Sequence, residues 1–239
     1  MAKVGSLSVY FSLKKWTRKK SIFHIHSLNE EQVNENIKLC FENNIYPGSK
    51  SPVFLINRKI IKKRKPYKII CLFRDPLERN VSAFFDAFEL HTSKKISKYN
   101  GDVESLKPFY YEKLNHYYPI YWFEKQFFEA TNIDVFAYNF NKEKGYKLIK
   151  KDNIELLLLN SNVDDKIKEK LISDFCDLKE FNLKNRNISS TKEYATYYKD
   201  FKQTMRFTKE YLNQLYDSNY AQHFFTEKHI KNQIEKWSE

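Results

Sequence analysis

Residues 69 to 85, Ile-Ile-Cys-Leu-Phe-Arg-Asp-Pro-Leu-Glu-Arg-Asn-Val-Ser-Ala-Phe-Phe, leave little freedom in how the chain around them folds. The apolar run at 69–73, led in by Tyr67 and Lys68, suits a strand buried on both faces, as in a parallel sheet. Asp75 then Pro76 reads as an N-cap followed by proline at the first helical position. Val81, Phe84, Phe85 and Phe88 fall at i, i+3, i+4 and i+7, one apolar stripe for packing on the sheet. Arg74 sits on the turn, and Arg79 and Ser82 share the other side of the helix. Two guanidiniums, a hydroxyl and a helix N-terminus at the carboxyl end of a strand describe an anion site, most simply for phosphate. Surface pairing of Arg74 and Arg79 with Asp75 and Glu78 is the alternative, and spacing does not separate the two.

The formal charge of +12 points to an anionic partner: nucleotide, nucleic acid, acidic glycan or membrane surface. With 239 residues, 41% hydrophobic, and only four glycines, the expectation is α/β rather than loop-rich all-β. No repeat, linker or boundary interrupts the chain, so one domain over 1–239 is expected. Cys40, Cys71 and Cys176 are too few and too scattered for a disulfide framework, and no Cys/His cluster suggests zinc. No signal peptide or spanning segment is expected, which gives a cytoplasmic protein, with peripheral association with a membrane left open.

The start, with Lys3, Gly5, Ser6 and Ser8, can wrap a phosphate: glycine admits close backbone approach, and the hydroxyls and ammonium donate. It is not a Walker A loop, in which lysine follows the second glycine. A frayed terminus is the plainer reading. Val9, Leu13 and Trp16 fit a helix starting after Ser6, although residues 6–13 also alternate like a strand. His24 and His26 share one face of an expected strand over 21–26 and could supply a base near neutral pH, or be satisfied by hydrogen bonds. Helices are expected over 28–43, over 109–130 in two parts broken at Pro119, and over 163–177, 192–205, 209–216 and 227–237. Strands are expected over 133–137, 146–150 and 154–159.

Taken together, these segments resemble the bacterial family of putative capsular polysaccharide synthesis proteins, within the sulfotransferases that use 3′-phosphoadenosine 5′-phosphosulfate (PAPS). Lys-Val-Gly-Ser-Leu-Ser at 3–8 resembles the loop for the 5′-phosphosulfate, and Arg-Asp-Pro-Leu-Glu-Arg-Asn-Val-Ser at 74–82 the element for the 3′-phosphate. Residues 134–146, Asn187, Ser189, Lys192 and Tyr194, and residues 216–226 resemble other family segments.

The resemblance implies a P-loop-like three-layer domain with a central, mainly parallel sheet flanked by helices. It implies Lys3 at the leaving oxygen, and Gly5, Ser6 and Ser8 around the phosphosulfate. Arg74, Arg79 and Ser82 would serve the 3′-phosphate, with Asn187 and Ser189 also in the nucleotide site. The His-Ile-His pair is similar to the base-bearing His-x-His of glycosaminoglycan 2-O-sulfotransferases, with His26 favoured over His24. The implied partners are the nucleotide co-substrate and an oligo- or polysaccharide acceptor, with neither metal nor nucleic acid. The family's glycine loop follows the first strand of its sheet, whereas only Met1 and Ala2 precede Lys3. That strand is therefore expected to be missing, or to lie upstream. A non-catalytic polyanion binder on the same fold, and a phosphoryl-transferring enzyme, are the competing readings.

Overall fold

The computed structural model describes residues 1–16, 21–47, 51–184 and 192–239. Along the chain come α1 (Ser6–Trp16), α2 (Glu30–Glu42), α3 (Val53–Ile56) running into a π-helical turn (Asn57–Ile61), and β1 (Tyr67–Phe73). Next are α4 (Pro76–Asp86), α5 (Phe88–Thr92), α6 (Lys107–Lys113), α7 (Tyr118–Trp122), a π-helical segment (Phe123–Phe128) and α8 (Glu129–Thr131). The hairpin β2 (Tyr146–Lys151) and β3 (Ile154–Asn160) precedes α9 (Asp165–Cys176). The last helices are α10 (Ala195–Thr204), α11 (Lys209–Tyr216), α12 (Asn219–Phe224) and α13 (Glu227–Trp237). The chain divides into two compact units.

The first unit gathers residues 1–32, 50–74 and 123–187. Among the described residues its sheet has three strands in the order β1-β3-β2, with β1 parallel and β2 antiparallel to β3. This mixed sheet is smaller than the mainly parallel one expected, and its buried strand is a different one. Leu156 to Leu159 of β3 are all buried, whereas β1 lies at the edge and is buried only from Cys71 to Phe73. A short apolar run signals a strand but not its place in the sheet, because central and edge strands differ only in having a second partner. At the turn before β2, Gly145 takes φ +71°, and a Cβ there would meet Val163 Cγ2 at 2.6 Å.

Two strand expectations fail. Residues 133–137 instead carry a 3-10 turn (Val135–Ala137), because the Asp134 carboxylate caps the Phe136 amide at 2.9 Å. Residues 21–26 join no strand, and the alternation there finds no ladder partner. The interruption before α7 comes at 114–117, with Pro119 placed just inside the helix, where its missing N–H costs nothing.

The second unit holds residues 33–49, 75–122 and 188–239 and is helical. The α4 stripe is buried as its spacing requires. Its ring neighbours are helical aromatics of the same unit: Phe84 meets Tyr110 at 5.4 Å and Phe201 at 6.0 Å between ring centroids. Tyr110 continues to Phe207, and Phe207 to Trp237. Nine of the twelve largest fully buried side chains described lie in this unit and all nine are aromatic, so ring packing carries this core.

Candidate functional site

The expected anion loop leads straight into α1. Gly5 takes φ +82° and Lys3 φ +66°, a left-handed region in which a lysine costs about 1 kcal/mol or more. The two reversals fold residues 1–5 back so that the Ser8 amide donates to the Gly5 carbonyl and α1 begins. Met1 and Val4 are buried, which anchors the loop in the first unit.

Arg74 follows β1 directly, and its Nη1 donates to the Lys3 carbonyl at 3.4 Å. Lys3 therefore sits at the carboxyl end of β1, beside a guanidinium supplied from 71 residues later. Ser6 Oγ lies 2.9 Å from His24 Nε2. The His24 ring stacks on Tyr10, with centroids 5.2 Å apart, and meets the His26 ring edge-on at 4.5 Å. The shared face expected of the two histidines is thus present without a strand. Lys3, Gly5, Ser6, His24, His26 and Arg74 all belong to the first unit.

Lys3 and Arg74 make this cluster cationic, and it is partly open to water, with Lys3, Ser6, His24 and Arg74 half-buried. Burial holds His24 below the ordinary histidine value. Burial, then the adjacent His24 ring, pushes His26 down to about 4, with Lys3 a minor cause. His26 is nevertheless an exposed residue, and contact with water limits the desolvation. Both rings favour the neutral form at pH 7. A helix N-terminus, a glycine-led turn, a hydroxyl, an ammonium and a guanidinium suit an anion, and a neutral imidazole suits a proton.

Other expected site residues sit differently. Ser8 is on the buried face of α1. Arg79 and Ser82 belong to the second unit and are buried on α4. The Arg79 guanidinium lies over the Tyr118 ring at 4.8 Å and donates to Asn80 Oδ1, and burial lowers its proton affinity. Asn187 and Ser189 lie outside the described residues.

Asp75 carries a second constellation, within the second unit. It caps α4 by accepting from the Glu78 amide at 3.0 Å. The same carboxylate, 1% exposed, accepts from Tyr216 Oη at 3.1 Å and pairs with His229 Nε2 at 2.9 Å. The sequence announces the cap but neither partner, since both are more than 140 residues away. Close by on the chain, Glu78 pairs with Lys202 at 2.8 Å and Lys236 at 2.7 Å. Burial alone would raise its carboxyl, but the two lysines outweigh burial and hold it below the usual value.

Among the described residues, no group of three or more His, Cys, Asp or Glu side chains could hold a metal ion. None of their helices is long and apolar enough to cross a membrane.

A profile of the family described as putative capsular polysaccharide synthesis protein matches residues 95–226, more than half of the chain. The chain belongs to this family. The matched segment includes Tyr216, and it stops short of His229 and of everything before residue 95, the Lys3–Arg74 cluster included. No curated protein and no solved structure matches the chain. Membership associates the protein with polysaccharide biosynthesis and suggests a glycan as the molecule it works on.

Proposed function

We propose that the chain moves a sulfuryl group from PAPS to a hydroxyl of a capsular or surface glycan. The observation that carries this reading is the convergence of Lys3, Ser6, His24, His26 and Arg74 in one unit, two cations and a hydroxyl beside neutral imidazoles. The resemblance of residues 3–8 and 74–82 to the two nucleotide-binding elements of sulfotransferases supports it, as does the family's tie to polysaccharide synthesis.

In this reading the α1 N-terminus, Gly5 and Ser6 receive the 5′-phosphosulfate, and Arg74 answers the 3′-phosphate. The acceptor oxygen attacks sulfur in line. A new S–O ester bond forms as the bond from sulfur to the bridging phosphate oxygen breaks, releasing 3′-phosphoadenosine 5′-phosphate. Lys3 neutralises charge on the departing oxygen. The hydroxyl proton passes to His26, which is neutral before the nucleotide arrives and becomes more basic beside its negative charge. Ser6 holds His24, and His24 fixes the His26 ring from the side.

The test is binding of 3′-phosphoadenosine 5′-phosphate followed by thermal shift. The intact chain is stabilised, and Arg74→Ala removes the shift. His26→Ala lowers turnover and spares nucleotide affinity. An intact chain with no shift sinks the reading, and unchanged turnover in His26→Ala moves the base to His24 or elsewhere.

One observation favours a non-catalytic polyanion binder on the same fold. Arg58, Lys59, Lys62, Lys63, Arg64 and Lys65 are all exposed, with no acidic residue among them. Salt-sensitive binding to nucleic acid without nucleotide binding is its signature.

A further inference from the structure

We infer that one face of the first unit, built from α1, residues 21–25 and the stretch 53–65, docks on the surface of an anionic lipid bilayer. The inference goes beyond the sulfotransferase reading and does not depend on it.

The first support is where the charge lies. Residues 1–74 hold 16 lysines and arginines against four acidic residues, a net +12 that equals the charge of the whole chain. The other residues hold 26 of each sign and cancel. All four acidic residues, Glu30, Glu31, Glu35 and Glu42, belong to α2. Residues 1–29 and 43–74 therefore contain no negative side chain at all. Among the described residues, Arg58, Lys59, Lys62, Lys63, Arg64 and Lys65 are exposed and enter no ion pair. A field so one-sided suits an extended anionic surface rather than a single anion.

The second support is the pattern within 53–63. Val53 and Ile56 are buried, and the exposed residues come in pairs four apart: Phe54 and Leu55, Arg58 and Lys59, Lys62 and Lys63. The π-helical turn closes with the Lys62 amide donating to the Asn57 carbonyl at 2.9 Å, and this wider turn keeps successive pairs on one side. An apolar pair and two tiers of cations thus share one exposed face.

The third support is what stands beside that face. A cavity of about 770 Å³ in the first unit is lined by Phe23, Leu55, Lys59 and Lys65, all of which stay exposed, so they surround its mouth. Tyr10 of α1 lines it too, with the Lys14 ammonium 4.9 Å from the centre of its ring. Phe11 and Trp16 are the other exposed large apolar side chains of α1. Aromatic and leucine side chains interleaved with lysines fit a bilayer interface: the apolar groups enter the boundary between headgroups and acyl chains, and the cations answer lipid phosphates. The same cations would serve a nucleic acid. Leu55 favours lipid, because an aliphatic side chain gains nothing from the base stacking on which such binding relies.

The test uses the intact 239-residue chain and vesicles of phosphatidylcholine, alone or mixed equally with phosphatidylglycerol, at physiological ionic strength. The chain sediments with the mixed vesicles and stays in solution with phosphatidylcholine alone. Trp16 reports the contact, since Trp122 and Trp237 are buried, and its emission moves to shorter wavelength on binding. Lys62→Glu with Lys63→Glu weakens vesicle binding at least about tenfold. Phe54→Ser with Leu55→Ser does the same while leaving the affinity for duplex DNA unchanged. Tm separates lost docking from lost folding, and the glutamate pair, at exposed positions, carries the test alone if the serine pair lowers Tm. Four results overturn the inference. No sedimentation with mixed vesicles means that the face meets no bilayer. Tighter binding to duplex DNA than to mixed vesicles at equal phosphate makes it a nucleic-acid surface. Unchanged vesicle affinity in a folded serine variant means adsorption by charge alone, and unchanged affinity in the glutamate variant puts the contact elsewhere.

Discussion

Replacing Asp75 tests how one carboxylate organises the second unit. Its acceptor bonds reach the Glu78 amide, Tyr216 Oη and His229 Nε2, from α4, α11 and α13 respectively. In Asp75→Ala the helix loses its cap, about 1 kcal/mol. The Tyr216 hydroxyl, on a residue with no exposed surface, loses its acceptor, about 1–3 kcal/mol. His229 is partly exposed and can turn to water, so it adds little. The sum is about 2–4 kcal/mol, or roughly 4–16 °C in Tm at the 2–4 °C per kcal/mol usual for a chain of this size.

Asp75→Asn is the informative control. Asparagine caps as well as aspartate and still offers one acceptor to Tyr216, so it should cost about half as much or less. Urea unfolding gives both numbers, and a double-mutant cycle with His229→Ala isolates that pair. If the alanine variant loses less than about 1 kcal/mol, or asparagine costs as much as alanine, the three-way hub is wrong.

Burial lowers His24, His26, His91 and His116 below the ordinary histidine value of about 6.5. The unfolded chain then binds protons first, so their contribution is complete above about pH 6.5 and lost as pH falls from there through the folded values. Tm scans from pH 7.5 to 5 should show a steady decline, shallower in a His24→Gln, His26→Gln variant; an equal slope assigns the decline to other groups. Adding 3′-phosphoadenosine 5′-phosphate should shift that decline to lower Tm sensitivity, because the bound anion raises both rings of the pair. Gly145→Ala forces a left-handed residue against Val163 and should cost about 1–3 kcal/mol in urea, whereas a cost near zero refutes the tight turn before β2.

What the sequence made legible was local. The Asp75–Pro76 cap, the α4 stripe and the common face of His24 and His26 depend on neighbours within one or two turns, and all three are present. Residues 21–26 show the limit. Alternation marks a chain able to be a strand, but a ladder needs a partner that periodicity cannot name. The same limit hid the edge position of β1 and the hold of Tyr216 and His229 on Asp75. The meeting of Lys3 with Arg74 was legible only through resemblance, since nothing in either segment alone encodes the other.

The Asp75 hub has a consequence for the order of events during synthesis. Its histidine partner lies 154 residues downstream. At about 5–20 residues per second, the buried carboxylate waits roughly 8–30 s on the ribosome before that side chain has been made. For most of that interval the carboxylate at the head of α4 has neither partner, since Tyr216 is itself 141 residues downstream. The second unit therefore cannot close around Asp75 until α13, which also brings the buried Trp237, has been made.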